Sequence, residues 1–506
     1  MYDIFYLRPG VHKRVHKYDH QGTIGAFWFG RPVKTCPLKI TDFPRQEKLM
    51  AKTGIVQKGS IIEMFAISFP MMVSQGCETM MIFTDRLFLS KLGPEQMSAA
   101  LMGGLTVFMM TTFFIGITGY TNALTAQYYG ADKKNKCGTV VTQAGILSLI
   151  GYPIILSLSP LINWYFDISG IAEAQLVPQK MYFNMVIYGV IFNLLRNCFS
   201  GFFSGIGKTG YVMIAAIVSM IVNIAANYVL IFGKLGFPSL GIRGAAVGTI
   251  IGGFSGVMVL FLIYVGYKYR REFGITQSLH YEHDVMIKLL RYGYPAGLEM
   301  FLNIIAFNLM IMLFHADGIV TATAATIVFN WDMVSFVPLI GIQIGVTSLV
   351  GRYMGMGYPD TAHKATLSGL TIGWMYSGTV LIIFTFFPQP LVDLFSPHEF
   401  SSVFNDARPL AIFMVRMAAV YVMVDTMFCV FTGALRGAGD TLWAMIITGI
   451  LHWTLVPILF IILHVLNLSA RVGWVTTVLV FVSFGTLIIW RYSTGKWREI
   501  TVVERE

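Results

Sequence analysis

The sequence predicts an all-α polytopic membrane protein: twelve transmembrane helices in two pseudo-symmetric six-helix bundles. Three observations predict it. The 506-residue chain is 55% hydrophobic and only 12% charged, where soluble proteins carry about 25% charged residues. Its apolar runs reach the roughly 20 residues a helix needs to cross a bilayer. Its two halves repeat one another. This composition excludes a soluble enzyme, a disordered chain and a secreted disulfide scaffold.

Residues 1–58 come first, with 11 Lys/Arg against 4 Asp/Glu. No apolar h-region or small-residue cleavage site follows the early charges, so this is not an ordinary signal peptide. It reads as a basic cytoplasmic extension. The first bundle follows over 59–267, with spans near 62–90, 98–128, 139–163, 181–205, 211–233 and 244–267. A basic loop, 268–287, leads to the second bundle over 288–491. Its spans lie near 288–315, 320–350, 364–389, 409–434, 441–466 and 472–490, and a tail covers 492–506. Lipid offers the backbone no hydrogen bonds, so each run is helical.

The net charge of +10 resembles a nucleic-acid signal, but its distribution is that of membrane topology. The first extension, the even-numbered loops and the tail hold 27 of the 36 Lys/Arg. The odd-numbered loops hold six: Lys91, Lys180, Lys234, Arg243, Arg408 and Arg471. That excess places both termini in the cytoplasm, and an even number of spans agrees. The five cysteines, Cys36, Cys77, Cys137, Cys198 and Cys429, are too scattered for a zinc site or a disulfide framework. They read as packing residues.

The repeat is carried by Gly205-Ile-Gly207-Lys-Thr209 and Gly437-Ala-Gly439-Asp-Thr441, which overlay span 4 on span 10. Pro70 in span 1 overlays Pro295 in span 7. Repeat-built bundles with a site between them are the architecture of alternating-access transporters. Gly205-x-Gly207-x-x-Gly210 also matches a dinucleotide fingerprint, but it follows a membrane span where the fingerprint needs a strand. Gly207-Lys208-Thr209 lacks the first glycine of a P-loop, since position 202 is Phe202. Both read as a tight cytoplasmic turn. His12, His16 and His20 share a helical face but stand among Lys13, Arg14 and Lys17, which repel a metal ion. His280 and His283 lie in a charged loop and carry no complete metal motif.

Four strings carry a family resemblance. The first span reads Pro70-MMVSQGCETMMIFT-Asp85-RLFLSKLG, and span 2 ends TAQYYGADKK. Span 5 and its loop read Asn223-IAA-Asn227-YVLIFGKLGFPSLGIRGAAVGT. Span 10 reads Tyr421-VMV-Asp425-TMFCVFTGALRGAGDT. From about residue 60 to 490 the chain resembles the MATE family, the multidrug and toxic compound extrusion transporters, and most of all its NorM-type bacterial branch. The resemblance implies a multi-pass antiporter of the bacterial inner membrane, expelling cationic or amphipathic compounds in exchange for Na⁺ or H⁺. It implies no enzymatic activity and no cofactor beyond that coupling ion. Partners are then small-molecule substrates and membrane lipids, with no nucleic acid, and the chain acts as a monomer. Residues 1–58 lie outside the resemblance and are expected to be dispensable for transport.

A charge at mid-membrane costs roughly 2.5–3.5 kcal/mol on insertion scales, so each acid there needs a reason. Five qualify: Glu78, Asp85, Glu299, Asp332 and Asp425. Asp85 matches the family's helix 1 acid, and Asp425 its helix 10 acid. Tyr421 lies one turn before Asp425 on the same face, and oxygen ligands of this kind suit a hard cation such as Na⁺. Eight residues after the helix 7 proline, where the NorM-type acid falls, this chain has Asn303. Glu299, one turn earlier, reads either as its substitute or as a helix-start residue at the inner interface. Glu78 stands eight residues after the helix 1 proline, as if acid and amide had been exchanged between the bundles. Asp332, beside Asn330 and Trp331, reads as a pocket for an aromatic cation or as a pore-facing structural acid. Asn223 and Asn227, one turn apart, are expected to surround Asp85, with Gln75 and Asn193 completing the polar set. Asn where archaeal members carry an acid implies NorM-type coupling. One alternative is a lipid-precursor flippase of the wider superfamily; the other is a membrane-embedded enzyme, for which His452 and His464 in span 11 are the only candidate residues. The five acids outnumber Arg196 and Arg416, which favours cationic cargo.

Overall fold

In a computed structural model of the chain, residues 57–396 and 402–504 are described. The extension 1–56, with His12, His16 and His20, lies outside them. Among the described residues there are helices and no strands. Twelve long helices form, each where the apolar pattern places one. In the first half, α1 is Ile61–Ser90, and α2 runs Pro94–Gly119 and resumes at Thr121–Gly130 after a break at Tyr120. The third, α3, is Lys134–Ser157, continued by Ser159–Ile168. α4 is Glu173–Val186 and Val190–Gly205, joined by one tighter turn at Ile187–Gly189. α5 is Thr209–Phe232 and α6 is Ile242–Val265. In the second half come α7, His283–Ala316; α8, Ile319–Met356; α9, Pro359–Phe386; and α10, Ser402–Ala438. α11 is Thr441–Phe460 with a wide turn at Ile461–Val465, and α12 is Ala470–Ser493.

Eleven of these are long and apolar enough to cross a membrane. α1 has the length, but Glu63, Glu78, Asp85 and Arg86 dilute its hydropathy. Several boundaries differ from the sequence reading: α3, α4 and α10 begin earlier than expected, at Lys134, Glu173 and Ser402. α7 begins at His283, so the linker between the halves is shorter than 268–287, and part of it is the short helix Tyr267–Glu272. α8 continues to Met356, past the expected end near 350, until Gly357 ends it in a left-handed cap at φ 81°. Prolines 70, 153, 178, 295, 338, 409 and 457 all lie inside helices, as membrane helices tolerate.

Small residues set the packing. Gly244, Gly248, Gly252 and Gly256 form a stripe along α6. A Cβ on any of them would meet α5 at Leu230, Asn227, Asn223 or Ser219. Without hydrophobic drive in lipid, such close backbone approach is what holds two helices together. Its consequence is local: α5 is pressed against α6, and Asn223 and Asn227 are fully buried.

Among the described residues the two halves meet along α1 with α8 and α2 with α7, from the basic-loop end to about mid-helix. Among the described residues, every hydrogen bond between them lies toward the end that carries the basic loops. Asn122 Nδ2 donates to the Ile344 carbonyl at 3.2 Å, and Gln127 Nε2 to that of Gly437 at 2.8 Å. Ser348 Oγ donates to the Ser204 carbonyl at 2.5 Å. Tyr353 donates its hydroxyl to Glu63 Oε2 at 2.6 Å and accepts from the Gly59 amide at 3.1 Å. Glu63 also accepts from Gly59 N at 2.8 Å and faces Arg352 at 4.0 Å. Glycines again permit the approach: Gly116 lies on Gly297, and Gly355 on Gln127. The molecule is therefore closed at the basic-loop end, and among the described residues no hydrogen bond joins the halves at the other.

The Gly207-Lys208-Thr209 turn joins α4 to α5, with Gly207 at φ 76° packed against Arg352. It is the tight connection the sequence suggested.

Candidate functional site

In the first half the buried polar cluster is built around Asp85, well past the middle of α1. Asn227 Nδ2 donates to Asp85 Oδ1. Thr249 Oγ1, from α6, is 3.2 Å from Oδ2. Asn227 Nδ2 also reaches Asn223 Oδ1 at 3.3 Å. Asn227 Oδ1 is buried, faces Gly248 and has no hydrogen-bond partner. A carboxylate and a hydroxyl thus meet where α1, α5 and α6 pack, with the Asn227 amide turned so that its Nδ2 faces Asp85 and its Oδ1 faces Gly248. Carboxylate and hydroxyl oxygens are the kind a hard cation takes up. Thr249 is a member that the sequence reading misses. The signal is present in the chain, because Thr249 ends the helix 5–6 string and follows directly on a glycine of the α6 stripe.

Glu78 is not part of this cluster. Arg196 Nη1 lies 2.5 Å from Glu78 Oε1, and Arg196 Nη2 reaches Asn193 Oδ1 at 3.4 Å. Asn193 therefore belongs with Glu78 and Arg196, not with Asp85 as expected. The reason is axial distance: residues 78 and 85 share a face of α1 but stand about 10 Å apart at 1.5 Å per residue. Gln75 sits one turn before Glu78, and its carbonyl accepts from Thr79 Oγ1 at 3.2 Å.

In the second half, α8 and α10 bring Asp332, Tyr421 and Asp425 together. The Tyr421 hydroxyl donates to Asp332 Oδ1 at 2.9 Å. The sequence places this phenol beside Asp425 alone; its hydrogen bond goes across to α8 instead. Asp332 and Asp425 are electrostatic neighbours, and both act on Tyr421. The rings around Tyr421 are Phe481 at 5.3 Å and Trp474 at 6.4 Å. Trp474 is itself fixed by its Nε1 hydrogen bond to the Met414 carbonyl at 3.0 Å. Trp331, the ring expected beside Asp332, donates to the Leu391 carbonyl at 3.1 Å. Asn330 turns back to Thr326 at 2.8 Å. Trp474 and Phe481 escape the sequence reading, because both come from α12, far along the chain.

Glu299 lies apart from this trio. It is 2% exposed, and Arg436 Nη2 is 2.9 Å from its Oε2. Asn303, one turn on, keeps a buried Oδ1 without a partner. The five mid-membrane acids thus divide. Glu78 and Glu299 are matched by arginines. Among the described residues, Asp85, Asp332 and Asp425 have no Lys or Arg nitrogen within ion-pair distance. Breaking a buried pair from one side costs about 3–5 kcal/mol. Glu299→Gln is therefore expected to lower the thermal transition of the detergent-solubilised protein sharply. Glu299→Gln/Arg436→Met should return most of it. Intrinsic fluorescence against temperature checks both, and an unchanged transition in the single variant would show that the pair carries no stability.

Among the described residues no group of three or more His, Cys, Asp or Glu is arranged to hold a metal ion. His452 bonds the Thr448 carbonyl at 3.1 Å and packs on Phe484 at 4.4 Å.

The MatE family model matches residues 70–229 and 295–461, more than half of the chain. The chain belongs to the MatE family. The two matched segments of this MatE protein open at Pro70 and Pro295, the prolines that the internal repeat overlays. MatE proteins are transporters, not enzymes. A relative from Thermotoga maritima, named as a probable multidrug resistance protein NorM, is 27% identical over 454 residues, 88% of this chain and 94% of its own. The multidrug resistance protein MdtK of Edwardsiella ictaluri is 25% identical over 408 residues, 78% of this chain and 85% of its own. Among solved structures, a transporter of the MOP superfamily from Pyrococcus furiosus superposes with a TM-score of 0.79 at 21% identity. That match covers 88% of this chain and 99% of that one. A multidrug resistance MATE family transporter described in an outward-facing conformation superposes with a TM-score of 0.78 at 20% identity, covering 88% and 99%. These likenesses establish the two-bundle fold of this MatE chain.

Proposed function

We propose that this MatE protein is a secondary antiporter that exports cationic or amphipathic compounds in exchange for Na⁺ or H⁺. The observation that carries the reading is the division of the acids. Asp85 in one half, and Asp332 with Asp425 in the other, are half-buried at membrane depth, and among the described residues none has a Lys or Arg nitrogen within ion-pair distance. An unmatched acid in lipid is costly, and a transported cation or proton is the partner that removes the cost. The names of the relatives, multidrug resistance proteins, support the same cargo class. The two halves act as rigid units, 59–267 and 288–491, that part alternately at either end. The Lys/Arg excess puts the closed end and both termini in the cytoplasm of a bacterial inner membrane. The described arrangement is then outward-open. The protein works as a monomer, with the coupling ion as its only cofactor.

A flippase for anionic lipid precursors needs arginines free to meet pyrophosphate. Arg196 and Arg436 are instead occupied by Glu78 and Glu299, which counts against it, although Arg416 is exposed on α10 and makes no ion pair among the described residues. The test is ethidium efflux from proteoliposomes under imposed Na⁺ or H⁺ gradients. One gradient is expected to accelerate efflux and its collapse to stop it. Efflux indifferent to both gradients overturns the antiport reading.

A further inference from the structure

Beyond α12 the chain does not leave the fold. Gly495 turns it at φ 71°, and the single turn Lys496–Glu499 docks on the second half. Trp497 is 1% exposed, stacks on Tyr492 at 4.9 Å, and donates its Nε1 hydrogen to the Tyr492 carbonyl at 3.0 Å. Arg498 Nη1 holds Asp360 Oδ1, at the start of α9, at 2.9 Å. The segment then runs to the seam between the halves. Val502 and Val503 are both 4% exposed. They lie in an apolar cluster with Tyr120, Ala123 and Tyr128 of α2 and Val285 and Leu289 of α7. Gly439, at φ 100°, leaves the room: a Cβ there would stand 2.5 Å from Val502 Cγ2. Glu504 acts on Tyr128, in the first half. The seam it reaches is the closed one, where Tyr120 of α2 stacks on Tyr292 of α7 at 5.7 Å.

We propose that residues 496–504 are a strap across the closed end, anchored in the second half by Trp497 and gripping the seam through Val502 and Val503, that sets how often the two halves part there. The strap adds to the bonds of Glu63 with Tyr353 and of Gln127 with the Gly437 carbonyl. It differs from them in being a separate segment that must lift before α2 and α7 separate. When they separate, both valines lose apolar cover, so strap contact and closure rise and fall together. This holds whatever the coupling ion or cargo.

Nitroxide labels at Lys268→Cys and Lys364→Cys, exposed at the same end of the two halves, report the separation in the full chain. Cys36 is replaced by Ser in this background, and the described cysteines are buried. In Val502→Asp/Val503→Asp, pulsed dipolar spectroscopy is expected to show the longer-distance population raised at least about threefold over the parent. The milder Val502→Ala/Val503→Ala should shift in the same direction by less, and it decides the matter if the aspartate variant fails to fold. Distance distributions unchanged from the parent in the folded variants overturn the strap.

Discussion

Asp425→Asn is expected to abolish gradient-driven efflux in proteoliposomes while leaving insertion and the thermal transition close to those of the parent. The change keeps the volume and removes the charge. No arginine or lysine among the described residues depends on Asp425, so none is stranded, unlike Arg436 when Glu299 is changed. What is lost is one of two carboxylates that face Tyr421 from α8 and α10. A cation or proton held there is the only group proposed to balance them. Efflux is expected to fall below about a hundredth of the parent rate, a difference of ~2.7 kcal/mol in the barrier. Asp332→Asn should also slow efflux severely, because it removes the charged acceptor of the Tyr421 hydroxyl and weakens the hydrogen bond that joins α8 to this phenol. Parent-like efflux in Asp425→Asn would end the claim that this cluster couples transport to an ion.

Asp85→Asn is expected to produce a comparable loss through the other half. Asp85 is held by Asn227 and Thr249, which fix its orientation without neutralising it. An amide at position 85 keeps one acceptor oxygen and loses the charge. Thr249→Ala should cost less, about tenfold in efflux or ~1.4 kcal/mol, since it removes one hydrogen bond and no charge. Glu78 separates this site from its neighbour. The sequence suggests that Glu78→Gln would match Asp85→Asn, as an acid exchanged with Asn303. With Arg196 at 2.5 Å, Glu78→Gln instead acts by stranding an arginine, and Glu78→Gln/Arg196→Gln should restore efflux. Asp85→Asn has no such rescue. Proteoliposome efflux for the four variants, at equal membrane abundance, distinguishes the two acids. Parent rates in Asp85→Asn would remove the first-half site.

Much of this arrangement is legible in the linear chain. Hydropathy marks the spans, because lipid forces every polar backbone group into a helix. The paired glycine turns and Pro70 with Pro295 mark the repeat, because they recur at fixed places in each half. Asn223 and Asn227, one helical turn apart, are expected near Asp85 and are found there, joined by hydrogen bonds.

Fold class, the run of spans, the two-fold repeat and the short set of acids worth explaining all follow from composition or from spacing along one helix, which a linear chain displays directly. The matching of acids to bases does not. Arg196 and Glu78 are 118 residues apart, Tyr421 and Asp332 are 89, and Arg436 and Glu299 are farther still. Helical periodicity says which way a side chain faces, but not which helix lies opposite. That choice belongs to the packing in three dimensions, where glycine stripes fix the helix pairs through backbone contact. The packing then determines whether a buried carboxylate meets a guanidinium or is left for an ion.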